Sequence, residues 1–430
     1  MPHGPSVYYG GRHSAHQPSR EASVPRVSIV VPAYRSASYL DGCLQSLEGQ
    51  THPDLEIIVV DDASPDKTAE TVLRHAECDR RVVPLLLERN LGTLGARKAG
   101  VLASTGDYVM LVDQDDELEP RAVELLVAYA AAHPADIYHF AARVVAENET
   151  ARQAAGGMTS FLTPTPRRLV GEEILKTQLA ETGGFDWHVH HKLFRGDFAR
   201  SCYAEATDER LVLSDDIYAS FILCSRARSY EALPDSPWYL YHLGRGETYG
   251  QALTIETYGR LANADGRALA LAREYALGPS APARPDWAER LDDLRDRLAF
   301  HAMNEWMDSL PAEFGERGCE LALASLPADA VCGELYRFVR DRAYALLQER
   351  DRSSDGARAL ERDALRYLEL ARRVEAEPAF DTDNARYREM REIACRHLRE
   401  TGLMGDGEQA GPRPGIVRRA WAMIRGALRR

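Results

Sequence analysis

Two acidic runs stand directly behind apolar runs. Asp61-Asp62-Ala63-Ser64 follows LEIIVV (55–60), and Asp113-Gln114-Asp115-Asp116 follows DYVMLV (107–112). Carboxylates at the carboxyl end of a strand occupy the place where α/β sheets put their ligands. Three acids within four residues repel one another, and a hard divalent cation offsets that repulsion because it prefers carboxylate oxygens. The competing reading is local. Asp62 or Ser64 caps the next helix, and 113–116 is a solvated turn before a helix near Pro120. Ser214-Asp215-Asp216 opens an amphipathic segment carrying Ile217, Phe221 and Ile222. Taken alone, it reads as acids at the positive end of a helix. His242, in YLYH (239–242), has the chemistry of a metal ligand, and Arg245 has that of a phosphate contact. A lone histidine is more often an ordinary structural residue.

The elements that position these residues alternate. VSIVV (27–31), stopped by Pro32, reads as a strand buried on both faces. Ser38 is placed to cap a helix whose apolar residues Tyr39, Leu40, Cys43, Leu44 and Leu47 follow helical spacing. LEIIVV predicts a strand, 65–77 a helix, and VVPLLL (82–87) a weaker strand that Pro84 assigns to an edge or bulge. A helix over 93–104, a strand over 107–112, a helix over 120–132 and a strand over 135–140 follow. This alternation predicts a mostly parallel sheet with helices on both faces. The pattern is mixed from 151 to 250, with helices at 170–181 and 214–226 and aromatic strands near 236–243. Beyond 252 it is nearly all helical. Trp287, Leu291, Leu294 and Leu298 recur at helical spacing, as do Leu365, Tyr367, Leu368, Leu370 and Ala371.

Composition bounds the class. Of 430 residues, 45% are hydrophobic and 28% charged, which excludes a disordered, collagenous or coiled-coil chain. The net charge of −13 argues against nucleic-acid binding, which needs a basic surface. Seven scattered cysteines without a Cys-x-x-Cys pair fit neither a disulfide framework nor a zinc site, and point to free thiols in a reducing cytoplasm. No apolar run approaches the ~18 residues of a membrane span, and the first residues lack a signal-peptide core. The Ala- and Arg-rich composition suggests a bacterial genome of high GC content.

Several separate stretches, in order, resemble the inverting GT-A glycosyltransferases of family two: VSIVVPAYR (27–35), SLEGQT (46–51), EIIVVDDAS (56–64), RNLGTLGARKAG (89–100), TGDYVMLVDQDDELEP (105–120), KLFRGDF (192–198), SDDIYASF (214–221) and YLYHLGRGETY (239–249). The resemblance covers about residues 27–250. It implies a nucleotide-sugar donor, a UDP-sugar by resemblance alone, a divalent metal cofactor (Mn²⁺ or Mg²⁺), and a hydroxyl acceptor. It also implies roles. Asp62 contacts the nucleotide base, with Pro32, Tyr34 and Asp61 lining the same cleft. Asp113 and Asp115 are the Asp-x-Asp pair on the ribose and the metal-bound diphosphate. Asp216 is the general base of an acidic pair, Asp-Asp here where many relatives have Glu-Asp. Lys98 and Arg245 fall among donor contacts, and His242 corresponds to the family histidine among the metal ligands. Tyr34 and Lys98 stand where relatives often carry Asn.

The expected organisation is a disordered N-terminal tail (1–25), a GT-A catalytic domain (26–250), a helical region for acceptor binding or homodimer formation (251–410), and a basic amphipathic tail (411–430). GIVRRAWAMIRGALRR (415–430) would lie on a membrane surface or on the protein's own acidic surface, which adds a peripheral contact on the inner face of the membrane to a cytoplasmic location. The acceptor is open among a polysaccharide, a lipid-linked glycan, a peptide and a natural product. Two other functions compete. One is a non-catalytic sugar-nucleotide scaffold. The other is a nucleotidyltransferase, disfavoured because PAYRSAS (32–38) lacks a Gly-rich, basic loop.

Overall fold

A computed structural model of the chain describes residues 24–181, 183–246, 253–376, 380 and 383–405. The expected tails at 1–25 and 411–430 lie outside the described residues, apart from positions 24 and 25.

The first half runs β1 (Val27–Ala33), α1 (Leu40–Glu48), β2 (Leu55–Asp61), α2 (Thr68–Cys78), β3 (Val82–Leu86), α3 (Gly92–Ala103), β4 (Tyr108–Leu111), β5 (Glu117–Leu118), α4 (Ala122–Ala132), β6 (Ile137–Phe140) and β7 (Ala142–Ala146). It continues with α5 (Glu149–Phe161), β8 (Arg168–Val170), α6 (Glu172–Ala180), β9 (Lys192–Arg195), α7 (Gly196–Ala204), α8 (Asp215–Arg226), β10 (Ser229–Leu233) and β11 (Tyr239–Leu243). Six α-helices follow among the described residues: α9 (Ile255–Leu277), α10 (Trp287–Asp308), α11 (Gly315–Ser325), α12 (Ala328–Gln348), α13 (Asp355–Glu375) and α14 (Ala385–Thr401).

Eight strands form the main sheet in the order β3-β2-β1-β4-β9-β6-β10-β8. The run β3-β2-β1-β4 is parallel; β9 enters antiparallel between β4 and β6. A small sheet, β5-β11-β7, brings β11 against the acidic turn after β4. Every residue of β1 and β2 is buried, as a strand covered on both faces requires. Ile29 and Val31 pack with Leu40, Leu44 and Leu47 of α1 on one face. Val30 points the other way, to Leu94 and Val101 of α3. At Gly100 of α3 a Cβ would lie 2.3 Å from Val30 Cγ1 and 2.9 Å from Val60 Cγ2, so the helix rides close on β1 and β2.

The α3 face of the sheet shares one continuous core with α9–α14. Phe221 of α8 meets Tyr275 of α9 and Trp287 of α10, with ring centroids 6.4 and 5.7 Å apart. Pro84 lies in edge strand β3, as its missing N–H demands. Three local expectations differ. Ser38 does not cap α1, whose first turn is held by the carbonyl of Ser36. Neither Asp62 nor Ser64 caps α2; Asp66 accepts from the N–H of Thr68 there. Leu365 faces solvent while Tyr367, Leu368, Leu370 and Ala371 are buried. The mixed stretch after 151 also holds β8, β9, α7 and β10, which hydrophobic pattern alone does not reveal.

Candidate active site

The carboxyl ends of β2, β1 and β4 lie side by side. The chain steps outward from β1 to β2 and β3, then returns to place β4 on the other side of β1. That reversal makes a crevice suited to a ligand. Pro32 is buried in β1, and Tyr34 just beyond it is exposed; its N–H donates to Gln114 Oε1 at 2.7 Å. Asp61 is buried, and its Oδ1 has no hydrogen-bond partner.

Asp62 caps a helix, but not its neighbour in sequence. Its two oxygens accept from the N–H groups of Leu91 (2.6 Å) and Gly92 (2.9 Å), at the start of α3. Gly92 has φ +77°, a left-handed conformation that glycine adopts without a Cβ penalty. Burial raises the Asp62 carboxyl, and the two amides partly offset this.

Arg97 of α3 organises the acids. Its guanidinium donates to Asp113 Oδ1 (2.7 Å), to Asp215 Oδ2 (2.8 Å) and to Asp216 Oδ1. Burial opposes the charge on Arg97, but Asp216, Asp113 and Asp215 outweigh it and hold the guanidinium well above its ordinary value. Burial raises both carboxyls, Asp215 to about 7, and Arg97 pulls them back. The two acids differ in access: the Asp215 side chain is 9% exposed and that of Asp216 18%. Asp216 is thus the more accessible of the two.

The backbone before this pair is strained. Leu213 and Ser214 have φ of +63° and +50°. With Arg35, Ala63 and His191 they are the non-glycine residues of positive φ among the described residues. Arg35 and Ala63 flank the crevice, so much of this strain collects at the candidate site. Ser214 Oγ donates to Asp265 Oδ1 on α9 at 2.5 Å, and Asp265 Oδ2 meets His301 Nδ1 of α10 at 3.0 Å. The helical half thus holds the residue that precedes the acidic pair.

The 113–116 turn is fixed from β11. Tyr239 Oη donates to Asp116 Oδ2 (2.8 Å) and accepts from the N–H of Asp113 (3.2 Å). The N–H of His242 donates to Asp116 Oδ1 at 2.8 Å. Burial, then Asp115 and Asp113, push Asp116 well above its ordinary value. Asp115 is pushed up to about 6 by burial and by Asp113. Arg245 donates to the carbonyl of Asp115 (2.9 Å) and pairs with Glu147 (2.9 Å).

Asp113, Asp115 and His242 do not converge as a three-donor cage; among the described residues only His139, Asp186 and His191 do. The acidic turn nonetheless fits a cation delivered with a diphosphate. Asp115 is raised by burial and then by Asp113, and His242 Nε2 is buried without a hydrogen bond, with Glu117 Oε1 3.3 Å away in poor geometry. Magnesium-type ions are commonly held by one or two carboxylates plus substrate phosphates. Lys98 points elsewhere, to the carbonyl of Ala206 and to Asp208, both at 2.6 Å. Arg97, beside it in sequence, is the residue that motif reading missed. It sits on the apolar stripe of α3 with Leu94 and Val101 (i, i+3, i+7), and an arginine on a buried stripe signals a buried partner.

Residues 28–195 match the model of Glycosyl transferase family 2. Curated relatives include glycosyltransferase GlyA of Streptococcus pneumoniae (36% identical; 26% of this chain, 16% of GlyA), the uncharacterized glycosyltransferase EpsJ of Bacillus subtilis (35%; 26% and 33%) and hyaluronan synthase of Pasteurella multocida (40%; 24% and 10%). The matched stretch thus spans a third or less of each of these relatives. A crystal structure of S. aureus TarS 1–349 in complex with UDP-GlcNAc superposes with TM-score 0.54 at 19% identity, over 84% of this chain and 95% of that one. The parallel strands ending in acids, the crevice beside β1 and these matches agree: residues 28–195 are similar to family 2 glycosyltransferase domains, within a GT-A fold that a helical region follows.

Proposed function

We propose that this chain is a metal-dependent inverting glycosyltransferase. It moves a sugar from a nucleoside diphosphate, UDP in our reading, to a hydroxyl acceptor by single displacement. The observation that carries this reading is the Arg97 bridge, which holds partly exposed Asp216 against Asp113 at the carboxyl end of β4. The UDP-GlcNAc complex of TarS, a protein of the same fold, supports the choice of donor.

Pro32, Tyr34, Asp61 and Asp62 line the nucleotide side. Asp113 faces the ribose and diphosphate. Asp115, with His242 beside it, would hold a Mn²⁺ or Mg²⁺ ion, whose charge would offset that of the departing diphosphate. Arg245 fixes the backbone of Asp115. Asp216 accepts the acceptor's hydroxyl proton as the new bond forms, and its raised carboxyl is a stronger base than a free aspartate. With one base and one displacement, the anomeric centre inverts. The acceptor enters from the side of α8 and the helical half, and the basic segment 415–430 brings the enzyme to a membrane surface when the acceptor is lipid-linked. No helix among the described residues is long and apolar enough to cross a membrane.

The test is transfer by Asp216→Asn. Turnover should fall at least ~100-fold while UDP binding in the presence of Mn²⁺ stays within about twofold. Thermal stabilisation by UDP-, GDP- and dTDP-sugars with Mn²⁺, Mg²⁺ or EDTA identifies the donor class. Full turnover by Asp216→Asn removes that residue from the chemistry.

A further inference from the structure

Three metal-type donors converge outside the residues assigned to the donor sugar. His139 belongs to β6; Asp186 and His191 lie in the segment leading into β9. His139 Nε2 is 2.9 Å from His191 Nε2 and 2.9 Å from Asp186 Oδ2; His191 Nε2 is 3.1 Å from the same oxygen. All three side chains are fully buried.

Protons satisfy this triangle poorly. If one ring donates to the other, the accepting nitrogen turns its lone pair toward the Asp186 oxygen. If both rings donate to Asp186, two N–H groups collide. Charging a ring adds a positive charge beside Lys192 in a buried core, where ionic groups are costly. One cation in the middle removes the conflict, because all three atoms then present lone pairs.

The surroundings suit that state. His139 Nδ1 meets Tyr230 Oη at 2.7 Å, and His191 Nδ1 meets His190 Nδ1 at 2.7 Å. Each ring can therefore keep its proton on Nδ1 and offer Nε2, the outer-shell arrangement usual for metal-bound histidine. Asp186 Oδ1 is used separately, accepting from the N–H of His188 at 2.9 Å with Lys192 Nζ 3.4 Å away. Oδ2 is thereby left to the two rings. His191 holds φ +41°, a strained value for a bulky residue. Donor separations near 3 Å correspond to angles of about 90° around an ion ~2.1 Å from each ligand.

We propose that His139, Asp186 and His191 bind a divalent transition-metal ion that ties β6 to the segment entering β9. Two imidazoles and one carboxylate favour zinc, iron(II) or manganese over calcium or magnesium. The site shares no residue with the acidic turn, and the inference does not rest on the transfer reading.

The full chain, purified without chelator and dialysed, should retain about one zinc, iron or manganese ion by elemental analysis. Asp115→Asn should keep that ion, and His139→Ala and His191→Ala should lose it. Wild-type content no higher than that of His139→Ala overturns the proposal, as does loss of the ion in Asp115→Asn alone. If the histidine variants do not fold, Co²⁺ is added to the chelator-stripped Asp115→Asn chain. A visible d–d band and a rise in Tm, both reversed by EDTA, are expected; neither appearing in a chain with native circular dichroism overturns the site.

Discussion

Replacing Arg97 with methionine removes the cation shared by Asp113, Asp215 and Asp216 while keeping much of the side-chain volume. Arg97 is buried, and so is Asp215. Removing one partner of a buried ion pair typically costs about 3–5 kcal/mol, because the remaining charge stays desolvated. The cost must depend on pH. Asp215 and Asp216 already stand above 3.8 in the folded chain, and Arg97 is the main group drawing them down. A folded value above the unfolded one penalises folding as pH rises through it, and the penalty vanishes below the unfolded value near 3.8. Arg97→Met raises both carboxyls further. The deficit measured by urea unfolding should therefore be larger at pH 9 than at pH 6, where more of the pair is protonated. Arg97→Lys should fall between, since an ammonium keeps the charge but lacks the fork that reaches three carboxylates. A deficit under about 1 kcal/mol at pH 9, or one equal at both pH values, would refute the shared-cation account.

Asp62→Ala removes the acceptor for the N–H groups of Leu91 and Gly92. It should cost about 1–2 kcal/mol in urea unfolding, as loss of a helix cap does, and weaken UDP binding by calorimetry. Gly100→Ala drives a methyl into Val30 and Val60, so it should lower stability by about 1–3 kcal/mol and reduce Tm. Asp265→Asn, on the helical half, disturbs the carboxylate held by Ser214 and His301. Its kcat should drop with the donor KM unchanged and Ser214→Ala should behave alike, whereas a matching rise in KM would make Asp265 a general structural residue.

Much of the candidate site was legible because its markers are local. A strand buried on both faces tolerates few polar residues, so VSIVV, LEIIVV and DYVMLV announce themselves, and the acids behind them mark the strand ends. Further on, α6, α8, β11 and the helical half were legible too, but α5, β8, β9, α7 and β10 were not. Strand β9 begins with Lys192, a buried charge held by Asp186 and the carbonyl of His188. A four-residue strand with two apolar residues behind such a start is too short to stand out as an apolar run.

By itself, the sequence determined the alternation of strands and helices, the acids at the ends of β2 and β4, and the Asp215-Asp216 pair. These depend on residue type and short-range spacing. The tertiary structure decided which charges meet. Arg97 and Lys98 are adjacent, but successive residues on a helix point about 100° apart. Close packing at Gly100 against Val30 and Val60 sets how α3 is turned. That rotation sends Arg97 to acids as far as 119 residues away and Lys98 to Asp208. In the same way, Asp62 caps a helix 29 residues on rather than its own neighbour, and Asp265 reaches Ser214 from the helical half. Spacing along the chain does not carry such long-range partners. They follow from how layers buried for their apolar faces bring their few polar residues together.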